Sequence, residues 1–259
     1  MATKMTTADA IPAILPDDGP VIEIEHLCKR FGENVVLNDF SLSVNKEENI
    51  VVLGKSGSGK SVLIKCIIGL LKPDSGSLKV FGEEVIGLSH EELDKVRTKI
   101  GFLFQGNALY DSMTVRENLE FPLRRHWIDF VQSKVDALVK EALENVGLTH
   151  TVEMMPAELS GGMLKRVALA RTMILKPEII LYDEPTTGLD PVTAREIDNL
   201  ILKIKRKYHT SSIIITHDMN CVKNTADRVA LLLDGKCYAQ GKYKEFEQST
   251  DKNIKQFFE

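Results

Sequence analysis

The strongest constraint on this chain is the octapeptide Gly54-Lys55-Ser56-Gly57-Ser58-Gly59-Lys60-Ser61, which fits G-x-x-x-x-G-K-S and follows the apolar run Ile50-Val51-Val52-Leu53. A short β-branched run without polar alternation suits a strand buried on both faces, the kind found in parallel sheets covered by helices. From Lys60 to Leu71 the pattern predicts a helix that stops before Pro73. Strand, glycine turn and helix form the setting in which the motif has a mechanism. The glycines let successive backbone N–H groups curl around a phosphate, and the helix start adds partial positive charge. Lys60 is then placed for β- and γ-phosphates, and the Ser61 hydroxyl for Mg²⁺.

Other segments fit an α/β chain. Ile22 and Ile24, then Phe40, Leu42 and Val44, recur at every second residue and predict half-buried antiparallel strands. Buried strands are expected at Ile100–Phe104, Ile179–Tyr182 and Ser212–Thr216, and a hairpin where Asp234-Gly235 separates Val229–Leu233 from Lys236–Ala239. Residues 107–158 read as mostly helical, with Thr114 and Glu117 at capping-box spacing and Val135, Leu138, Ala142, Leu143 and Val146 apolar. A helix over Met163–Leu175 ends at Pro177, and Asp190-Pro191 opens another with Val192, Ile197, Leu200, Ile201 and Ile204 on its apolar face. No internal repeat is present.

Composition removes several classes. With 43% hydrophobic residues over 259 positions the chain can bury a full core, so disorder is excluded. A formal net charge of -4 argues against an overall electrostatic fit to nucleic acid, and none is expected as a partner. Cys28, Cys66, Cys221 and Cys237 lack metal-type spacing and read as reduced thiols of a cytoplasmic protein. No apolar stretch approaches the roughly 20 residues that span a bilayer, so a role at a membrane has to come through a partner. Residues 1–20 carry Asp9, Asp17 and Asp18 instead of a basic start and apolar core, and are expected to be a flexible lead-in.

Two further motifs carry chemistry. The run Ile179–Tyr182 ends in Asp183 and Glu184, where Asp183 would hold hydrated Mg²⁺ and Glu184 would polarise an attacking water. Leu159-Ser160-Gly161-Gly162-Met163 precedes a helix, so Ser160 with the amides of Gly161 and Gly162 offers a second anion site; a plain Ser N-cap is the simpler alternative.

From Val21 to Gly241 these residues resemble the nucleotide-binding subunits of ABC transporters. The resemblance implies an α/β P-loop NTPase fold of the ABC ATPase type: a RecA-like core, an antiparallel β-subdomain and a helical signature subdomain over about 107–175. It bounds the ATP-binding domain at 21–245 and leaves 246–259 as a tail, whose Phe257 and Phe258 either dock on a neighbouring subunit or stay flexible. It implies two ATP molecules sandwiched in a head-to-tail homodimer between one subunit's phosphate loop and the other's Ser160–Gly162. It makes Phe31 the aromatic that stacks on adenine, where a core or edge aromatic is the ordinary alternative. Gln105 becomes the glutamine that touches Mg²⁺ and the attacking water. Pro185–Asp190 becomes the loop crossing the dimer interface, and His217 the switch histidine at the γ-phosphate, with Glu184, Gln105 and Lys60 completing the catalytic set. His26, His90, His126, His150 and His209 lack such a setting.

The sequence departs from the family at Met163, where the signature glutamine is usual. Met163, Asn107–Asn118 and Phe121–Arg124 look like the subgroup serving MCE-type lipid transporters, similar to the bacterial Mla system and its chloroplast relative. That implies an integral-membrane permease, an MCE-domain lipid-binding partner and a place on the cytoplasmic face of the inner membrane. Another ABC importer or exporter and a non-transport ABC ATPase are the alternatives. Leu109–Trp127 would border the groove for the permease, with Phe121, Leu123 and Trp127 either as contacts or as interior packing.

Overall fold

A computed structural model describes residues 19–126 and 131–258. Most of the expected lead-in, residues 1–18, and Trp127 lie outside the described residues. In chain order the strands are β1 (Ile22–Phe31), β2 (Asn34–Val44), β3 (Asn49–Leu53), β4 (Ser75–Val80), β5 (Glu83–Glu84), β6 (Ile100–Leu103), β7 (Ile179–Asp183), β8 (Ser211–Thr216), β9 (Arg228–Leu233) and β10 (Lys236–Gly241). The helices are α1 (Lys60–Ile67), α2 (His90–Thr98), α3 (Val115–His126), α4 (Gln132–Val146), α5 (Gly161–Met173), α6 (Pro191–Tyr208), α7 (Met219–Thr225), α8 (Tyr243–Glu247) and α9 (Lys252–Lys255).

The central sheet has the order β10-β9-β3-β8-β7-β6, parallel throughout except for β10 at one edge. The register pairs Leu53 with Thr216 and Asp183 with Ile215, so the phosphate loop, Glu184 and His217 all leave the same carboxyl edge. That edge is where open parallel sheets hold their ligands. A second, antiparallel sheet has the order β2-β1-β4-β5. Together with the helical subdomain these form the RecA-like α/β architecture that the resemblance implies.

Alternation along the buried strands feeds two cores. Ile50 and Val52 join Phe40, Leu63, Ile67, Leu181 and Ile213 between the two sheets and α1. Val51 and Leu53 join Tyr182, Ile197, Ile201 and Ile214 under α6 and α7. A third cluster, with Val115, Leu119, Leu123, Leu143, Val167 and Ala170, is the centre of the helical subdomain. Helix α5 belongs to both lobes: Val167 and Ala170 face the third cluster, while Ala168, Leu169 and Met173 face the second. Each aliphatic side chain buried in full contributes about 1.5–3 kcal/mol, so this helix joins the lobes through packing.

Three expectations need correction, and one open alternative closes. Helix α1 ends at Ile67 and does not run on to Leu71, because Gly69 takes φ +69° while its N–H bonds Cys66 O and the Leu70 N–H bonds Lys65 O. This is a Schellman stop, reached before Pro73. Val192 is 71% exposed at the start of α6 and takes no part in its buried face. Leu123 is buried in the helical core, which selects the interior-packing reading for it. The boundary at 245 falls inside α8, and Phe246 and Ile254 are buried on the chain's own second core, with Phe257 and Phe258 packed beside them. The tail is therefore packed on its own chain's second core and is not a flexible end.

Candidate active site

The phosphate loop is shaped by what surrounds its glycines. Gly59 stands at φ +102°, and a Cβ there would lie 2.7 Å from Val36 Cγ1, so only glycine fits between the loop and β2. Gly54 through Gly59 hand the chain to α1, whose first residues are Lys60 and Ser61. The Lys60 side chain is buried, and Nζ donates to Gly54 O at 2.8 Å and Lys55 O at 3.0 Å. Burial lowers the pKa of this ammonium, opposed by the charges of Glu184 and Asp183. A groove of about 440 Å³ opens along the loop, lined by Lys55–Ser58, Asn34–Val36 and the Leu232–Gly235 turn. Phe31 sits at the tip of the same β1–β2 hairpin, 48% exposed, with Lys29 Nζ 5.4 Å from its ring centroid. That exposure rules out the core reading and leaves an aromatic face free to stack.

Ser61 and Asp183 come from elements 122 residues apart and meet directly, the hydroxyl donating to Asp183 Oδ1 at 3.1 Å. Burial raises the pKa of Asp183, and the nearby Glu184 charge adds to this, while the Ser61 bond opposes it. A buried carboxylate with a hydroxyl beside it is the donor pair a hard, oxygen-seeking cation such as Mg²⁺ takes, so the residues fit that ion. Glu184 takes φ +51°, a conformation uncommon for a residue with a long side chain, and its N–H bonds Ile215 O at 2.9 Å. Its carboxylate is engaged at both ends: Oε1 lies 3.0 Å from His217 Nδ1, and Oε2 accepts from Thr187 Oγ1 at 3.0 Å. Ser61 thus meets Asp183, Glu184 meets His217, and the charges of both carboxylates act on Lys60.

Gln105 follows β6 and is exposed, and among the described residues no hydrogen bond joins its side chain to Ser61 or Asp183. Its backbone is held from α5. The buried Lys165 Nζ donates to Gln105 O at 2.9 Å, and Arg171 donates to Asn107 O at 3.0 Å and Ala108 O at 2.8 Å. Asn118, wholly buried on α3, fixes the next stretch by accepting from Tyr110 N and donating to Tyr110 O, Met113 O and Thr114 O. Sequence pattern assigns none of these three a role, although Asn118 closes the Asn107–Asn118 segment of the resemblance. Lys165 and Arg171 do leave a trace, as two of the three cations, with Arg166, in a helix otherwise apolar on two sides.

Ser160 is the N-cap of α5 and accepts from Met163 N at 3.3 Å, so the capping alternative holds; its exposed position keeps the anion role open as well. Gly162 abuts Thr193 on α6, and Arg166 pairs with Glu196 beside it. Met163 is half-buried against the helical core, which accounts for an apolar side chain where the family has an amide. A second hollow, of about 380 Å³, is lined by Ser160–Met163, Arg166, Gly188–Asp190 and Thr193. It shares no lining residue with the phosphate-loop groove, so one chain carries two separate hollows.

Chemically, the first face can bind a polyphosphate and present a carboxylate with a histidine to its far end. Comparison with known proteins agrees. The ABC transporter family model matches residues 37–187. A probable ribonucleotide transport ATP-binding protein, Mkl, of Mycobacterium leprae is 41% identical over 83% of this chain, which spans 61% of that protein's length. The intermembrane phospholipid transport system ATP-binding protein MlaF of Haemophilus influenzae is 36% identical over 92% of this chain and 89% of its own. The methionine import ATP-binding protein MetN of Campylobacter jejuni is 38% identical over 92% of this chain and 75% of its own. A dimeric ATP-binding cassette solved in a post-hydrolysis state with ADP and Pi superposes with TM-score 0.78 at 31% identity, over 85% of this chain and 98% of that one. The chain belongs to the ABC transporter family, as one of its ATP-binding cassettes.

Proposed function

We propose that this chain is the ATP-binding and ATP-hydrolysing subunit of an ABC transporter, and that it works as a head-to-tail homodimer. The observation that carries the reading is the convergence of Lys60, Ser61, Asp183, Glu184 and His217 on one sheet edge. In this reading the glycine amides and Lys60 bind the β- and γ-phosphates, and Phe31 stacks on adenine. Ser61 and Asp183, with Gln105, would hold Mg²⁺, which when bound offsets negative charge on the phosphate oxygens. Glu184 orients the attacking water and accepts its proton as the water oxygen bonds the γ-phosphorus and the bond to the bridging oxygen breaks, leaving ADP and phosphate. His217, hydrogen-bonded to Glu184, faces the same phosphate. The separate hollow at Ser160, Gly161 and Gly162 supports a second copy as its partner, each signature turn closing the site of the other chain.

The transporter we infer moves phospholipid, with an integral-membrane permease and an MCE-domain protein, at the cytoplasmic face of the inner membrane. Met163, the segment over Asn107–Asn118 and the similarity to MlaF support this. Tyr110, exposed and 4.8 Å ring to ring from Phe121, supplies an apolar patch for the permease. The similarity to MetN favours a second reading, an importer of another solute class. Isolation from the native membrane in mild detergent, with mass spectrometry of the co-purifying chains, separates them. A multi-spanning permease with an MCE-domain protein is the expected result; a permease with a soluble solute-binding protein would overturn the lipid assignment.

A further inference from the structure

We propose that the Thr187 hydroxyl is a positioning group for the Glu184 carboxylate, and that Thr186 and Thr187 together make the loop Pro185–Asp190 set the hydrolytic geometry of its own chain. The inference rests on the reading of Glu184 as the base.

Glu184 leaves β7 in a left-handed conformation, its side chain only 10% exposed. A carboxylate at the end of a Glu side chain turns freely about its last bond unless something holds both oxygens. Here His217 holds Oε1 and Thr187 holds Oε2, each at 3.0 Å. Two partners on two oxygens fix the plane of the group, and each oxygen keeps a further acceptor site for a water. The neighbouring Thr186 reaches the other side: its hydroxyl donates to Asp218 Oδ2 at 3.1 Å. Asp218 directly follows His217, caps α7 by accepting from Asn220 N at 2.9 Å, and is itself tied through its N–H to Thr216 Oγ1 at 3.0 Å. Two adjacent hydroxyls of one loop therefore anchor the carboxylate and the segment that carries its histidine.

The loop ends at Asp190, the N-cap of α6, and the first turn of α6 packs Thr193 against Gly162 of the signature turn. A contiguous set of contacts thus runs from the signature turn through the α6 cap and the loop to Glu184. The backbone also closes this turn, Thr187 N donating to Glu184 O at 3.3 Å, and that bond survives any side-chain change. A role in turn geometry alone is consequently separable from a role of the hydroxyl.

The test compares Thr187→Val, which keeps the shape and loses the hydroxyl, with Thr187→Ser, which keeps it, in steady-state ATP hydrolysis by the whole protein. Thr187 is exposed, so both variants are expected to fold, and thermal unfolding checks this. The expected result is a kcat about tenfold lower for Thr187→Val with KM for ATP within about twofold, and recovery to within about twofold of the parent in Thr187→Ser. A Thr187→Val enzyme with parental kcat, or a Thr187→Ser enzyme as slow as Thr187→Val, overturns the inference. Glu184→Gln is measured alongside. If it is inactive while Thr187→Val is not, the inference alone falls; if it hydrolyses ATP at the parental rate, the base assignment falls and the inference with it.

Discussion

Replacing Gly162 by Ala tests how closely the signature turn is fitted to α6. A Cβ at Gly162 would lie 2.6 Å from Thr193 Cγ2, about 1 Å inside ordinary carbon–carbon contact. The methyl cannot swing aside cheaply, because Thr193 Oγ1 donates to Asp190 Oδ2 at 2.5 Å and its N–H bonds Asp190 Oδ1 at 3.1 Å. Overpacking of this kind costs about 1–3 kcal/mol. The gain in helix propensity from Gly to Ala offsets about 1 kcal/mol of it. The net expectation is a loss of about 0–2 kcal/mol. In a chain of this size that moves the melting temperature by no more than about 8 °C. Thr193→Ser deletes the methyl and keeps the capping hydroxyl. The double-mutant cycle should accordingly show Gly162→Ala about 1–2 kcal/mol less costly in the Thr193→Ser background. Differential scanning calorimetry of the four proteins gives the coupling, and ATPase rates show whether the signature turn has shifted. An equal cost of Gly162→Ala in both backgrounds would refute the packing argument.

Two further outcomes follow from single contacts. Burial acts to raise the pKa of Glu48, but its bonds to Arg228 and Asn45 outweigh this and leave it lowered, so the stability it contributes is present above the unfolded value near 4.5 and is lost as pH falls through the folded one. Glu48→Gln should flatten the acid limb of the stability curve, read by urea unfolding from pH 7 to pH 3, and an unchanged limb would refute the linkage. Met163→Gln should retain ATP hydrolysis while losing about 1 kcal/mol of stability, since an amide replaces a half-buried thioether in the helical core; abolished hydrolysis would show a specific role for the Met side chain.

The phosphate loop, the Asp183–Glu184 pair and the strand before His217 are legible in the sequence because each is local. A buried run reads as a parallel strand, and parallel strands deliver their C-terminal residues to one edge. What escapes depends on contacts between distant residues or on backbone angle. Lys165 and Arg171 hold carbonyls about sixty positions away, which no spacing rule encodes. The end of α1 was placed by Pro73, although Gly69 supplies an earlier stop. The Thr187–Glu184 bond exists because Glu184 is left-handed, a feature that residue type does not announce. Leu123 and Phe121 flank Pro122 in α3, and the phase of that helix decides that the first is interior and the second stands beside Tyr110. Residue types leave the tail either docked on a neighbour or flexible, whereas Phe246 and Ile254 find the chain's own second core.

The most direct test of shared sites uses dimers assembled from coexpressed Lys60→Ala and Ser160→Ala chains, each variant nearly inactive alone. With one intact loop facing one intact signature turn in every mixed dimer, and mixed dimers making half the population, ATP hydrolysis should recover to about one quarter of the parental rate. Activity no greater than the sum of the two separate variants, with both folded and dimerising, would contradict a site built from two chains.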